Sequence, residues 1–391
     1  GVSTYSGHLN AMAHFTPAPI KTTIQIRPTE IMLNDTVWNV HPATVEVDSG
    51  KIHIHDFAFN HKERHLHIDG TLSKSPEDTL RIDLSKINIG YVFDIADLGI
   101  NFCGEATGPA LATNLLNEPA MQTDLFIKGL GINDGVIGDA QLHGEWHHPV
   151  KGLLLDAHIT EGEIAQTHVK GYVYPIKPTS SLDLQIKAHN TNLQFIHYYI
   201  NSITPEFSGR ATGDVHLYGK FKALTLDGAV DADAAFKIDV LNTTYHVKDS
   251  IRITPDGLTF PQNRVVDQQG HVGGLQGYVR YNHFKDMNYN FNFRLNNTLL
   301  LNTRESPDFP FYGTIYGTGS ATLRGNPLEG LNVDLALSTN RNSTFTYIKD
   351  NVMAATSNQF IKFVDKTPRR KAQETASLSA YEQDRQVIQR E

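Results

Sequence analysis

Apolar and polar residues alternate one by one through much of this chain. Clear cases are Leu80–Leu84, Leu182–Ile186 and Tyr289–Phe293, in which every second residue is apolar. Successive side chains of a β-strand point to opposite faces, so these segments are predicted to be strands with one apolar face and one polar, solvent-exposed face. Turn signals such as Asp48-Ser49-Gly50 and Pro255-Asp256-Gly257 separate them. The sequence therefore predicts an all-β antiparallel meander.

Helical patterns are few. Short amphipathic stretches are predicted over residues 91–98, 193–200 and 371–389. An all-β fold with a small number of short helices follows from this pattern.

Glycines stand within the apolar rows instead of between them. Gly171, for example, lies in the row of Val169 and Val173. A glycine inside a strand is unfavourable unless the strand bends or another backbone comes close, so we predict a sheet that curls towards its apolar face. The structural glycines predicted in this way are Gly70, Gly144, Gly171, Gly219, Gly277 and Gly325.

The pattern repeats along the chain. Glycine pairs begin at Gly104, Gly209 and Gly313, which are 105 and 104 residues apart, and each pair has the spacing Gly-xxx-Gly. A period of about 105 residues indicates serial modules that stack into an elongated sheet. The predicted modules are residues 1–103, 104–208 and 209–312, followed by the start of a fourth at 313–365 and a polar tail or linker at 366–391.

Composition argues against several classes of protein. The net charge of −8 and the absence of a long basic stripe argue against nucleic-acid binding, since Arg369-Arg370-Lys371 is too short to matter. The single Cys103 cannot form an internal disulfide. No apolar run has the roughly 18–20 residues of a membrane helix, and the residues after Gly1 do not resemble a signal peptide. We expect any anchor or export signal to lie upstream.

Two stretches carry a family resemblance. Residues 30–90 contain Asn34-Asp35-Thr36-x-Trp38, an alternating strand, and then Leu66-x-Ile68-x-Gly70. Residues 309–348 contain Phe311-Tyr312-Gly313-Thr314-x-Tyr316-Gly317-Thr318-Gly319. Both resemble the β-rich region of the TamB family, in the AsmA-like superfamily, and the repeats extend the resemblance over roughly residues 20–365.

The resemblance implies a fold and a function. TamB-like proteins form a long sheet folded into an open trough, a β-taco, with an apolar interior. They are anchored in the inner membrane, cross the periplasm, and are thought to carry phospholipid acyl chains towards the outer membrane. A barrel protein of the TamA or BamA type docks at the far end. We expect this chain to lack both the anchor and the C-terminal domain that meets this partner, so that the partner contacts lie elsewhere.

The resemblance and the glycine pattern favour a groove over a closed sandwich, in which the apolar face would pack on a second sheet. The residues predicted to form the lipid-contacting wall are the apolar members of the alternating strands. They are Val45, Val47, Ile52, Ile54, Leu66, Ile68, Leu80, Ile82, Leu84, Leu182, Leu184, Ile186, Val215, Leu217, Phe291, Phe293, Leu335 and Leu337.

Histidines and carboxylates raise the question of a metal or catalytic site. His53, His55, His65 and His67 lie on two neighbouring predicted strands, and imidazoles on one face can bind zinc. Histidines are spread throughout the chain, however, so we interpret these four as solvent-facing residues and predict neither a metal nor another cofactor. Because no catalytic motif such as GxSxG, HExxH or a P-loop occurs, we predict that the chain is not an enzyme.

Two other functions remain open at this point. The chain could be a scaffold for outer-membrane protein assembly or secretion, whose strand edges pair with a client or a barrel. It could also be an extracellular β-solenoid that binds or cleaves glycans, which is disfavoured because the two tryptophans, Trp38 and Trp146, fit the apolar rows.

Overall fold

The structure, a computed structural model, describes residues 5–348 except 34–35, 96–100, 134, 176, 178–179, 202–203, 308 and 327–329. The predicted tail at 366–391, the predicted helix at 371–389 and the end of the predicted fourth module lie outside the described residues. So do Asn34 and Asp35 of the family-like stretch.

Strands dominate the described residues, as the alternation predicts. The first strands are β1 (Tyr5–Gly7), β2 (Ala11–Pro17), β3 (Ile20–Ile26), β4 (Thr29–Leu33), β5 (Thr36–Val40), β6 (Ala43–Asp48), β7 (Lys51–His61), β8 (Arg64–Leu72) and β9 (Thr79–Asn88). The next are β10 (Phe102–Thr113), β11 (Ala120–Ile132), β12 (Gly135–His147), β13 (Gly152–Glu161), β14 (Ala165–Val173) and β15 (Leu182–Asn192). The last are β16 (Phe207–Lys220), β17 (Ala223–Ile238), β18 (Thr243–Thr254), β19 (Gly257–Asp267), β20 (Val272–Asn282), β21 (Lys285–Thr303), β22 (Phe311–Asn326), β23 (Gly330–Thr339) and β24 (Thr344–Tyr347).

All these strands belong to one open antiparallel sheet, which confirms the predicted fold class. From β7 to β22 each strand pairs with the strand before it and the strand after it. At a spacing of about 4.8 Å, these strands give the sheet a contour of roughly 70 Å across the strands.

Both ends of this meander branch. At the N-terminal end, β7 pairs with β6 along its first half and with β5 at Asn60 and Phe59. One ribbon then continues through β3 to β2, and the other through β4 to β1. At the other end, β22 pairs with both β23 and β24.

A structural junction recurs every six strands. In β9, β15 and β21, Lys86, Asn190 and Asn297 adopt left-handed backbone at φ 52°, 54° and 50°, beside a shift in strand register. Their backbone N–H groups donate to the hydroxyls of Thr107, Thr212 and Thr318 on the next strand, at 3.1, 2.9 and 2.9 Å. A β-bulge increases the local twist of its strands, so we expect a stronger twist of the sheet at each of these junctions.

The longer connections of the sheet follow these bulges. Helix α1 (Gly90–Ile95) lies between β9 and β10, and a 3-10 turn at Gln194–Ile196 leads into α2 (His197–Ile200) between β15 and β16. The predicted module boundaries fall after the second residues of β10, β16 and β22. The division into modules stays a prediction.

The third glycine pair is out of step with the first two. The repeated Thr-Gly unit at the bulge is Thr107-Gly108, Thr212-Gly213 and Thr318-Gly319, so Gly319 and not Gly317 corresponds to Gly108. A further register shift between Leu299 and Leu301 adds one unpaired residue, Leu300, to β21 of the third copy. A count of glycines alone cannot reveal that shift.

Candidate functional site

One face of the sheet carries a continuous set of apolar side chains. Directly paired residues of antiparallel strands point to the same face, so the register can be followed from strand to strand. Ile82 pairs with Ile68 and Ala110, for example, and Leu184 pairs with Gly171 and Leu217. Followed in this way, the register brings every predicted wall residue to the same face, which we call the inner face.

The inner face is only partly covered. Of the predicted wall residues, Leu80 and Leu184 are buried, at 7 % and 8 % exposure, whereas Val47 and Leu335 are exposed, at 36 % and 62 %. The remaining wall residues are half-buried. A closed sandwich would bury such residues almost completely. Among the described residues no second sheet covers this face, which remains partly accessible.

The predicted structural glycines also lie on the inner face. The neighbouring strand comes so close to Gly171 that an added Cβ would lie 2.0 Å from the carbonyl oxygen of Asp183. At Gly277 the distance to the carbonyl oxygen of Asn290 would be 2.4 Å. The glycines therefore allow a close approach of strand backbones that a side chain of any size would prevent.

Several polar groups on the inner face have hydrogen-bond partners within the protein. The hydroxyls of Thr167 and Thr191 lie 2.6 Å apart, and the Thr123 hydroxyl donates to the Pro109 carbonyl at 2.9 Å. Asp249, a charged member of this face, accepts from the backbone N–H of Ser250 at 2.8 Å. Hydrogen bonds within the protein thus satisfy these groups, and much of the inner face offers apolar surface.

A polar brace ties β19 to β21 at one end of the inner face. The Asp267 side chain has 0 % exposure, and its carboxylate accepts from the backbone N–H of Leu299 at 2.7 Å and from His271 Nδ1 at 2.9 Å. Backbone N–H groups of Gln269 and His271 donate to its other oxygen. Burial would raise the pKa of Asp267, but these hydrogen bonds outweigh it and hold the pKa below its ordinary value.

Tyr245 completes the brace from β18. Its hydroxyl donates to the Leu299 carbonyl at 2.9 Å, and burial raises its pKa. Tyr245 also packs in an aromatic and aliphatic cluster with Val247, Val265 and Leu275. The brace and the cluster join strands that are three apart in the sheet, which fixes the curl of the inner face there.

Several inner-face residues were not among the predicted wall residues. Tyr245, Val247 and Val265 are buried, and so are Ala157 and Ile159 in the middle of the sheet. The strands β10–β14 use alanine, glycine and threonine at many inward positions, so their alternation is weak. The glycine rows were the one sequence signal that marked these strands.

The four histidines considered as ligands lie on the outer face, and three of them have polar partners there. His53 Nδ1 bonds to the Thr71 hydroxyl at 2.9 Å, and His55 lies 3.9 Å from a Glu46 oxygen. His67 lies 3.3 Å from an Asp56 oxygen. The interpretation as solvent-facing residues fits these partners.

The comparisons with known proteins support the resemblance. The family model described as the TamB C-terminal domain matches residues 262–389, about a third of the chain, which confirms the predicted TamB-like assignment. Searches of curated proteins and of solved structures each found no match. Among the described residues, no helix has the length and hydropathy needed to cross a bilayer.

The match corrects one expectation. This expectation is that the chain lacks the C-terminal domain of the family, whereas the polar tail or linker at 366–391 stays a prediction. The matched range includes most of residues 366–391, so the chain up to residue 389 is similar to the family's C-terminal domain. Residues 366–391 lack the strand alternation that carries the resemblance elsewhere, so the sequence pattern does not indicate this part of the match.

Proposed function

We propose that this TamB-like chain is a periplasmic lipid conduit whose inner face holds phospholipid acyl chains between the inner and the outer membrane. The observation that carries the proposal is the partly accessible apolar face that runs through the whole sheet. The family match supports the context of a transport and assembly component.

The inner face has the chemistry that acyl chains require. Each methylene group that moves from water onto an apolar surface contributes about 0.8 kcal/mol. Because the polar groups described above are already hydrogen-bonded, they offer few anchors to a head group. We expect chains to bind through apolar area alone, a mode that permits sliding, while head groups remain in water.

Photo-crosslinking tests this proposal without introducing a charge into the sheet. Benzoylphenylalanine at Leu217, which is half-buried on the inner face, should crosslink to phospholipid during expression in a Gram-negative host. The matched control is Gln185, which is exposed on the outer face of the adjacent strand. Lipid adducts at Leu217 and not at Gln185 support the conduit, whereas equal yields or no adducts at either position contradict it.

Lipid extraction gives a second readout. Phospholipid should co-purify with the native chain, and Leu217→Asp should reduce the amount bound, while Gln185→Asp should leave it unchanged. Native mass spectrometry of the three proteins measures this directly. A folded native chain that carries no lipid would contradict the proposal.

The strand edges favour a second candidate function, a scaffold for outer-membrane protein assembly or secretion. Phe15 in β2 is 61 % exposed and Leu335 in β23 is 62 % exposed, and within the described residues both strands pair on one side only. Such edges can accept a strand from a client or from a TamA- or BamA-type barrel. In that case Leu335→Pro should weaken partner capture in a pull-down, and Leu217→Asp should not.

A further inference from the structure

We propose that Asp156, His158 and His168 form a zinc-binding site on the outer face of β13 and β14, independent of the lipid-conduit function. Among the described residues, these three form the one group of three or more histidine, cysteine and carboxylate side chains whose ligand atoms all lie within 4.8 Å of one another.

The strand register brings the three side chains together. Asp156 and His158 are two residues apart on β13, so both point to the outer face. His168 on β14 is the direct partner of His158, and Lys170 is the direct partner of Asp156. The site therefore depends on strand pairing, which is the most rigid feature of this fold, and needs no loop to close.

The distances suit a metal ion. His168 Nε2 lies 2.7 Å and His158 Nε2 lies 3.4 Å from the same Asp156 oxygen, Oδ1. The two imidazole rings are stacked, with centroids 4.2 Å apart and planes 10° apart. Ligand atoms bound to one zinc ion at about 2.0–2.1 Å lie roughly 3.3 Å apart, so small rotations of the rings bring all three atoms into range.

The donor set selects the class of ion. Two imidazole nitrogens and one carboxylate oxygen are typical zinc ligands, and the remaining coordination positions would be filled by water. The side chains are 26 %, 65 % and 34 % exposed for Asp156, His158 and His168, so an ion can reach them from solvent.

Lys170 competes with the metal. Its Nζ lies 2.7 Å from Asp156 Oδ2 and places a positive charge beside the position of the ion. Removal of this charge should therefore strengthen metal binding, while removal of any ligand should weaken it. A nonspecific attraction of zinc to surface histidines does not produce this pair of opposite effects.

Calorimetric titration of the EDTA-treated 391-residue chain with zinc chloride tests the site, with cobalt(II) absorption as a readout of the ligand set. We expect one zinc ion per chain at this site. His168→Asn and Asp156→Asn should each weaken binding at least tenfold, and Lys170→Gln should tighten it several-fold. Circular dichroism checks that each variant keeps its β-structure.

The matched control is His216→Asn. His216 has the same 34 % side-chain exposure as His168 and lies 2.8 Å from an oxygen of Asp183, but no third ligand completes that pair among the described residues. This substitution should leave zinc affinity unchanged. Equal losses in His168→Asn and His216→Asn, or no zinc binding by the native chain, would overturn the proposal.

Discussion

Leu184 in β15 and Leu335 in β23 are both apolar members of strands with alternating apolar and polar residues, yet their side chains differ sharply in exposure. Both are inner-face residues in alternating strands, but Leu184 is 8 % exposed and Leu335 is 62 % exposed. Leu184 has a paired strand on each side, whereas Leu335 has one on a single side within the described residues. Burial in this sheet therefore depends on the neighbouring strands as well as on the residue.

A charge placed at each of the two leucines should give the largest contrast. Leu184→Asp should lower the free energy of unfolding by about 4 kcal/mol, because it removes buried apolar area and leaves a carboxylate poorly solvated. Leu335→Asp should change it by less than about 0.5 kcal/mol. Urea denaturation followed by circular dichroism measures both, and similar losses would show that the two positions are buried alike.

Contacts between strands that are not adjacent should also make the β18–β21 region more sensitive to substitution than β23 at the end of the sheet. The Asp267 brace provides a test. Asp267→Asn should cost about 3 kcal/mol, since an amide cannot accept all the hydrogen bonds that the buried carboxylate accepts. A matched surface change, Asp334→Asn in β23, should have little effect. Equal stability of the two variants would show that the hydrogen bonds of Asp267 do not stabilise this part of the sheet.

The same carboxylate predicts a pH dependence. Because the pKa of Asp267 is lower in the folded state, its contribution is fully present above the ordinary aspartate pKa of about 4 and is lost as the pH falls through the folded value. The stability of the native chain should thus fall below about pH 4, and Asp267→Asn should show a shallower fall. Urea titrations at several pH values check the difference in slope.

Two glycines, one on the inner face and one in a turn, separate the effect of strand approach from the effect of backbone conformation. Gly171→Ala should cost about 3 kcal/mol, because its Cβ would meet the Asp183 carbonyl oxygen and its φ of +153° is unfavourable for other residues. Gly162 lies in a turn at φ +63° with nothing within 4 Å of an added Cβ, so Gly162→Ala should cost only about 1 kcal/mol. Equal costs would mean that backbone conformation and not strand approach explains the inner-face glycines.

The smallest effect concerns the recurrent bulge. Thr212→Val should cost about 1 kcal/mol, because the N–H of Asn190 loses its acceptor. Thr212→Ser keeps a hydroxyl and should be nearly neutral. Thermal melting of the two variants checks this, and a neutral Thr212→Val would show that water replaces the threonine.

Much of this fold is predictable from the sequence, because a single physical rule governs it. Alternation identifies strands such as β9, β15 and β21 and assigns Ile82, Leu184 and Phe291 to one face. The rule holds since each strand has one apolar face, and adjacent strands must align those faces to bury them.

Other features depend on contacts that no local pattern records. Asn190 is of a type that favours left-handed backbone but Lys86 is not, so residue type alone does not mark the bulge, and the threonine on the next strand is the shared feature. The burial of Asp267 depends on Leu299, a strand segment distant in sequence. The group of Asp156, His158 and His168 depends on the register of β13 and β14, which the local pattern of neither strand determines.

The pairing of each strand with its predecessor also bears on how such a long sheet can form. From β7 to β22, every new strand finds its partner in the residues just made, so a growing sheet edge can recruit the chain strand by strand. Loop closure stays short at each of these steps, and none of these strands has to wait for a distant segment. The exception is the N-terminal branch, where β3 pairs with β6 and β1 with β4 across longer connections. If the chain emerges N-terminus first, the least local strand pairs form first. The sheet then grows in one direction, at the rate at which new residues emerge.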